Sequence, residues 1–207
     1  MPPMLPATAL CFLALAAPAA AQRARQHPPR FLIVDASGAP DADHTSLQKA
    51  IEAAADGSEI LVRDGMYTPV EIVAKSLRIV ADESRLSFLS SLTVRDLAAG
   101  QAVTVRGLRF HPGPEVLDTA IAVRDCAGSV WLEELEVTDE VASLSPTTSL
   151  EVSSSLVEVE DSASVVLSRC LLAGVAPVAK PVLALTRSTT FLFDTTMGAQ
   201  DHQTVIR

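Results

Sequence analysis

Four segments of the chain repeat one apolar phrase, and this repetition restricts the fold more than any other feature of the sequence. The phrase occupies Val103, Val105, Leu108 and Phe110, then Val130, Leu132, Leu135 and Val137, then Val165, Leu167, Cys170 and Leu172, and lastly Phe191, Phe193, Thr196 and Gly198. The leading positions lie 27, 35 and 26 residues apart, the long interval containing a Ser/Thr-rich insert between Thr138 and Ser155. Ahead of the last three phrases stands a second short strand, Ile121 with Val123, Val157 with Val159, and Leu183 with Leu185, each followed by a turn of small and polar residues. Intervals of this length belong to solenoid coils. A period-2 strand of a few residues cannot bury its apolar face alone, so each coil needs neighbours stacked at roughly 4.8 Å above and below. The sequence therefore predicts an all-β chain, a parallel β-helix whose repeated apolar positions form inward columns. A sandwich would need two-residue hairpin turns of the Asn-Gly kind, which this chain lacks. Right-handedness is expected from the general preference of parallel crossovers.

The segment ahead of the repeats reads as the closure such a stack requires. Phe31 to Val34 is a short strand, residues 35–44 are turn-rich, and Thr45 with Gln48 forms a capping box opening a helix of about residues 45–55. Leu47, Ala50, Ile51 and Ala54 make its apolar stripe, Gly57 ends it, and Ile60 to Val62 begins the first coil. The helix is expected to cover the open end of the core and its strand edges.

Further upstream, an apolar stretch from Ala9 to Ala17, too short to span a bilayer, precedes Ala19-Ala20-Ala21 and Gln22. Residues 1–21 thus read as an export signal, although no Lys or Arg precedes the apolar run. Residues 22–30 are a basic leader and 31–207 one β-helix domain, placed by export in the periplasm, at the cell surface or outside the cell. No second apolar run has membrane length, and the net charge of −9, all of it beyond residue 21, disfavours nucleic acid and anionic lipid as partners. Cys126 and Cys170 survive cleavage; they allow one disulfide but do not make a disulfide scaffold, and whether they pair stays open.

The segments Ser46-Leu47-Gln48-Lys49-Ala50-Ile51, Ala54-Ala55-Asp56-Gly57 and Ile60-Leu61-Val62-Arg63-Asp64-Gly65-Met66-Tyr67 resemble the opening of pectin-lyase-like proteins, a superfamily that includes pectin methylesterases. The resemblance implies a right-handed β-helix. It also supplies a test of activity, because pectin methylesterases use an Asp nucleophile, a second Asp as acid/base, a Gln at the oxyanion site and an Arg that orders the nucleophile. Gly65 and Tyr67 match a Gly-x-Tyr-x-Glu element in which Pro69 replaces the Glu, and Thr119-Ala120-Ile121-Ala122-Val123-Arg124 resembles Gln-Ala-Val-Ala-Leu-Arg with Thr119 in place of the Gln. Following the coils onward, the two aspartates fall near Ala142 and Pro177, which carry no acid; a shift of a few residues would bring Asp139 or Asp161 into place.

Other candidate chemistry is sparse. Two outward columns, Arg106, Glu133, Ser168, Asp194 and Arg109, Glu136, Leu171, Met197, set opposite charges one coil apart. They predict ion pairs of Arg106 with Glu133, Arg109 with Glu136 and Arg124 with Glu160, each worth at most about 1 kcal/mol, in preference to a sugar-acid site. Asp35, Asp41 and Asp43 share a loop but read as turn chemistry beside Gly38 and Pro40, and the four histidines have no metal-ligand spacing. Trp131, the single tryptophan, is placed outward with Thr104, Val166 and Leu192, either to stack on sugar rings or a partner, or to lie beneath the 138–155 insert. The expectation is an exported non-catalytic module directed at a surface or polysaccharide, with Trp131, Arg106, Glu133 and Asp194 as binding residues and no cofactor or metal. The alternative is the N-terminal part of a larger polysaccharide-modifying enzyme. Because another strand is due just past Arg207 and no helix stands there to match the first, the last coil is expected to accept further coils or self-associate.

Overall fold

The computed structural model describes residues 31–82, 87–111, 119–138, 155–174, 181–199 and 202–206. The export signal, the basic leader and most of the 138–155 insert lie outside these residues. After β1 (Phe31–Val34) and α1 (Leu47–Ala53), strands follow in threes. These are β2 (Ser58–Val62), β3 (Gly65–Tyr67), β4 (Val70–Val73); β5 (Leu77–Ala81), β6 (Ser87–Leu89), β7 (Leu92–Arg95); and β8 (Ala102–Arg106), β9 (Arg109–Phe110), β10 (Ile121–Arg124). Then come β11 (Ser129–Glu133), β12 (Glu136–Thr138), β13 (Val157–Glu160); β14 (Ser164–Ser168), β15 (Leu171–Gly174), β16 (Leu183–Thr186); and β17 (Thr190–Phe193), β18 (Thr195–Ala199), β19 (His202–Ile206).

The strands form three sheets in the orders β1-β2-β5-β8-β11-β14-β17, β3-β6-β9-β12-β15-β18-β19 and β4-β7-β10-β13-β16. From β2 to β16 the chain visits first, second and third sheet in turn, so each circuit adds one strand to each. Pairing is parallel throughout, except that β19 turns back antiparallel on β18. The register stacks like on like. Leu32, Ile60, Ile79, Val105, Leu132, Leu167 and Leu192 form one inward column of the first sheet. Tyr67, Leu89, Phe110, Val137, Leu172 and Met197 form the corresponding column of the second. The three repeated phrases from Val103 to Leu172 are buried at every position expected.

Corners are made by residues in the left-handed backbone region. Gly107, Glu134, Arg169 and Asp194 have φ of 77°, 52°, 54° and 46° between first-sheet and second-sheet strands, while Asp96, Asp125, Asp161 and Arg187 follow third-sheet strands. Hydrogen bonds run on through these corners, from Gly107 N to Glu133 O and from Glu134 N to Ser168 O, so the stack is continuous around the bend.

The last phrase is displaced by one residue from its expected register. Thr190 pairs with Val165 and Leu192 with Leu167, so Phe191 and Phe193 point outward and Thr195 and Met197 take the inward places expected for Thr196 and Gly198. A one-residue slip exchanges the two faces of a strand completely. The left-handed residue fixes the phase here, because Asp194 stands to Leu192 and Thr195 as Arg169 stands to Leu167 and Cys170.

The helix is also shorter than expected. His44 is held beside Val34 by an isolated parallel bridge, and the N-cap falls on Ser46, whose hydroxyl accepts from Lys49 N at 3.4 Å, rather than on Thr45. Gln48 is thereby free of the capping box. Its Oε1 accepts from Glu71 N at 2.8 Å and its Nε2 donates to Glu71 O at 3.4 Å, on the outer edge of β4. Lys75 Nζ donates to the helix-end carbonyls of Ile51 and Ala54 at 2.8 and 2.9 Å. Leu47, Ala50 and Ile51 are buried against the core end.

Candidate functional site

On a strand, residues two apart share a face, so the outer face of the first sheet is read directly from the register. Its central column is Phe31, Glu59, Arg78, Thr104, Trp131, Val166, Phe191. One half is charged, with Arg78 and Glu59 paired at 3.6 Å. The other half is apolar. Trp131 is 42 % and Phe191 47 % exposed, while Val166 between them in the register is only 5 % exposed. The neighbouring column carries Arg106, Glu133, Ser168 and Phe193, with Phe193 52 % exposed.

Of the four binding residues expected from sequence, Trp131, Arg106 and Glu133 come together on this face, and Asp194 does not. The one-residue slip moves Asp194 into the corner with Glu134 and Arg169, and Phe193 takes its place beside Ser168. The same slip puts Phe191, not Leu192, next to Val166, and Thr196, not Met197, next to Leu171. Phe191 and Phe193 are thus residues of this outer face that hydrophobic alternation hides. The signal that locates them is the inherited spacing Leu192, Thr195, Met197, which repeats Leu167, Cys170, Leu172.

The 138–155 insert, one of the two covers expected for Trp131, lies mostly outside the described residues. Its ends, Thr138 in β12 and Ser155 ahead of β13, lie at the passage from second to third sheet. The same passage holds the positions near Ala142 and Pro177 where the resemblance would place two aspartates, both outside the described residues.

Charges on the outer faces are drawn into local pairs. Arg109 meets Glu136 at 3.0 Å, as the columns predict, and its guanidinium lies 5.9 Å from the centroid of Phe88. Arg106 instead reaches past Glu133 to Glu134, the left-handed corner residue that follows it, with Nε and Nη2 at 3.1 and 3.2 Å. Arg169 bonds the same carboxylate at 2.9 Å, and these two guanidinium groups, Arg106 foremost, hold the Glu134 carboxyl below its ordinary range. Arg124 pairs with Glu158 at 2.7 Å rather than with Glu160, which is 3.3 Å from Arg187. Asp161, the aspartate a shifted alignment would recruit for catalysis, is bound by Arg187 at 2.6 Å, and that hydrogen bond lowers its pKa.

The aspartate loop is similarly committed. Asp35 accepts from Ser37 N and Oγ at 2.8 and 2.6 Å, Asp41 from both Arg63 Nη atoms at 2.8 and 2.6 Å, and Asp43 from Ile33 N at 2.9 Å. No group of three or more metal-ligating side chains occurs among the described residues. Cys126 and Cys170 are free and buried at two different corners of the circuit; burial pushes both thiols up, away from the reactive thiolate. Among the described residues no helix is long and apolar enough to cross a membrane.

Comparison with protein-family models, with curated proteins and with solved structures finds no match for this chain.

Proposed function

We propose that the chain is an exported, right-handed parallel β-helix of the pectin-lyase-like kind that binds polysaccharide through the outer face of its first sheet and does not turn it over. The cyclic order of the three parallel sheets supports the helix, and the general preference of parallel crossovers supports its hand. One contrast between outer faces carries the binding reading. The third sheet presents ion pairs such as Arg95 with Glu71 and Arg124 with Glu158, whereas the first, charged at one end by Arg78 and Glu59, presents an open apolar stretch with Trp131 and Phe191 at the other. Exposed contiguous apolar surface rimmed by polar groups marks an interaction site. The absence of turnover is argued from charge. Glu134 and Asp161 are kept ionised by arginines and are poor proton donors at neutral pH, and neither Ala142 nor Pro177 can serve as nucleophile or acid.

The test uses the chain expressed with residues 1–21. It is expected outside the cytoplasm with its N-terminus near Gln22, and to be retained by cell-wall or plant polysaccharide in affinity electrophoresis. It should release neither methanol nor unsaturated uronides from pectin, with or without calcium. Turnover that persists through purification would overturn the non-catalytic reading.

A further inference from the structure

The binding face also carries information on what kind of glycan it takes and in which direction the glycan lies. Beside Trp131 and Val166 the apolar column is bordered by polar groups on the same face, Ser129 and Ser164 on one side and Glu133 and Ser168 on the other, while Phe193 extends the apolar surface beside Phe191. A pyranose presents an apolar C–H face ringed by equatorial hydroxyls, which an apolar strip with polar borders complements. The bordering groups are hydroxyls and a carboxylate, all able to accept from sugar hydroxyls. Two cations of this face are engaged with other carboxylates, Arg78 with Glu59 and Arg106 twice with Glu134, while Glu133 has no ion pair within 4 Å among the described residues. The face thus offers a carboxylate outside any close ion pair, on a chain whose net charge is −9, a setting that disfavours polyuronates.

Trp131 and Phe191 stand in the same column two strands apart, in β11 and β17 with β14 between, a separation of about 9.6 Å. This is close to the two-ring repeat of an extended 1,4-linked pyranose chain. Resting on the proposed polysaccharide reading, we infer that the ligand is a neutral, extended 1,4-linked glycan lying along the stacking direction, across the strands, with alternate rings on Trp131 and Phe191. The third sheet, with its ion-pair ladder, takes no part.

Because Trp131 is the single tryptophan, its fluorescence reports this face directly. The mature chain is titrated with cellohexaose, mannohexaose, cellobiose and hexagalacturonate. At least one neutral hexamer should give a saturable emission change, cellobiose should bind about tenfold more weakly, and hexagalacturonate should give none. Phe191→Ala, at an exposed position, should weaken the hexamer about tenfold while leaving cellobiose unchanged and the circular-dichroism spectrum intact. Hexagalacturonate binding as tightly as the neutral hexamers would overturn the ligand class and leave the polysaccharide reading standing. Equal affinity for hexamer and dimer, unaffected by Phe191→Ala, would overturn the lengthwise placement. An emission unmoved by any of the sugars would sink this inference, and retention of polysaccharide in the electrophoresis would then show whether the broader reading survives. An emission that shifts with chain concentration as the scattering mass rises would make the face a self-interface and overturn the inference as well.

Discussion

Glu134 is the residue on which most of one corner depends. Its backbone occupies the left-handed region, its N–H continues the strand ladder to Ser168 O, and its carboxylate joins Arg106 of the preceding circuit to Arg169 of the next. Gly107 does the same backbone work one circuit earlier without side-chain strain, at φ 77°. The pH behaviour follows from the lowered Glu134 carboxyl. A folded-state pKa below the unfolded one gives a contribution fully present above the ordinary carboxyl value of 4.5 and lost as pH falls through the folded value. Asp161 acts in the same direction. Glu134→Gln is therefore expected to lower stability at pH 7 by no more than about 1 kcal/mol, given the exposed arginines, and to flatten the acid side of the stability curve. Urea unfolding at pH 7 and pH 3.5 reads both; an unchanged pH dependence would show that the corner carboxylate contributes nothing. At this scale the sequence was partly legible. Opposite charges one circuit apart were visible in the columns, but the partner chosen by Arg106 was not, since it depends on a corner dihedral that composition does not encode.

Among the elements, α1 is too short to be stable by itself, at seven residues. Three things hold it: burial of Leu47, Ala50 and Ile51, the Lys75 ammonium on its terminal carbonyls, and the Gln48 amide on the edge of β4. The Gln48 amide supplies one acceptor and one donor to a single residue, as a neighbouring strand would, so it satisfies an edge that would otherwise invite another chain. Replacing Gln48 by Ala should cost about 1–2 kcal/mol through the lost hydrogen bonds to Glu71 and to Glu52 and speed hydrogen exchange at Glu71 while β10 and β13 stay protected. Uniform exchange across all three strands would contradict the latch. The helix and its apolar stripe were legible in the sequence; the role of Gln48 was not, because the capping-box pattern offers the same residue a local partner, and the bridge at His44 decides between them. The same limit explains the last phrase. Phe191 and Phe193 alternate as an inward pair would, and only the left-handed Asp194 shows that the phase has moved by one. The antiparallel return of β19 on β18 lay outside any repeat pattern, and it pairs with the edge of the second sheet where the sequence led us to expect further coils or self-association.

At the scale of the whole molecule, local circuits are linked by a single geometrical rule, one strand added to each sheet per circuit. Positions far apart in sequence then lie at distances set only by how many strands separate them. The apolar columns of the three central circuits could be read from sequence because each obeys the same inward phase. The outer face proposed to bind could be read only in part, because it depends on the outward phase of the final circuit. Spin labels on cysteines introduced along the outer column of the first sheet, in a background with Cys126→Ala and Cys170→Ala, test this arrangement most directly. Phe31→Cys with Thr104→Cys spans three strand steps and should give about 14 Å between backbones, and Phe31→Cys with Phe191→Cys spans six and should give about 29 Å. Distances that grow in proportion to the number of circuits are the predicted result. A Phe31-to-Phe191 distance no longer than that from Phe31 to Thr104 would contradict the stack and, with it, the placement of Trp131 and Phe191 in one column.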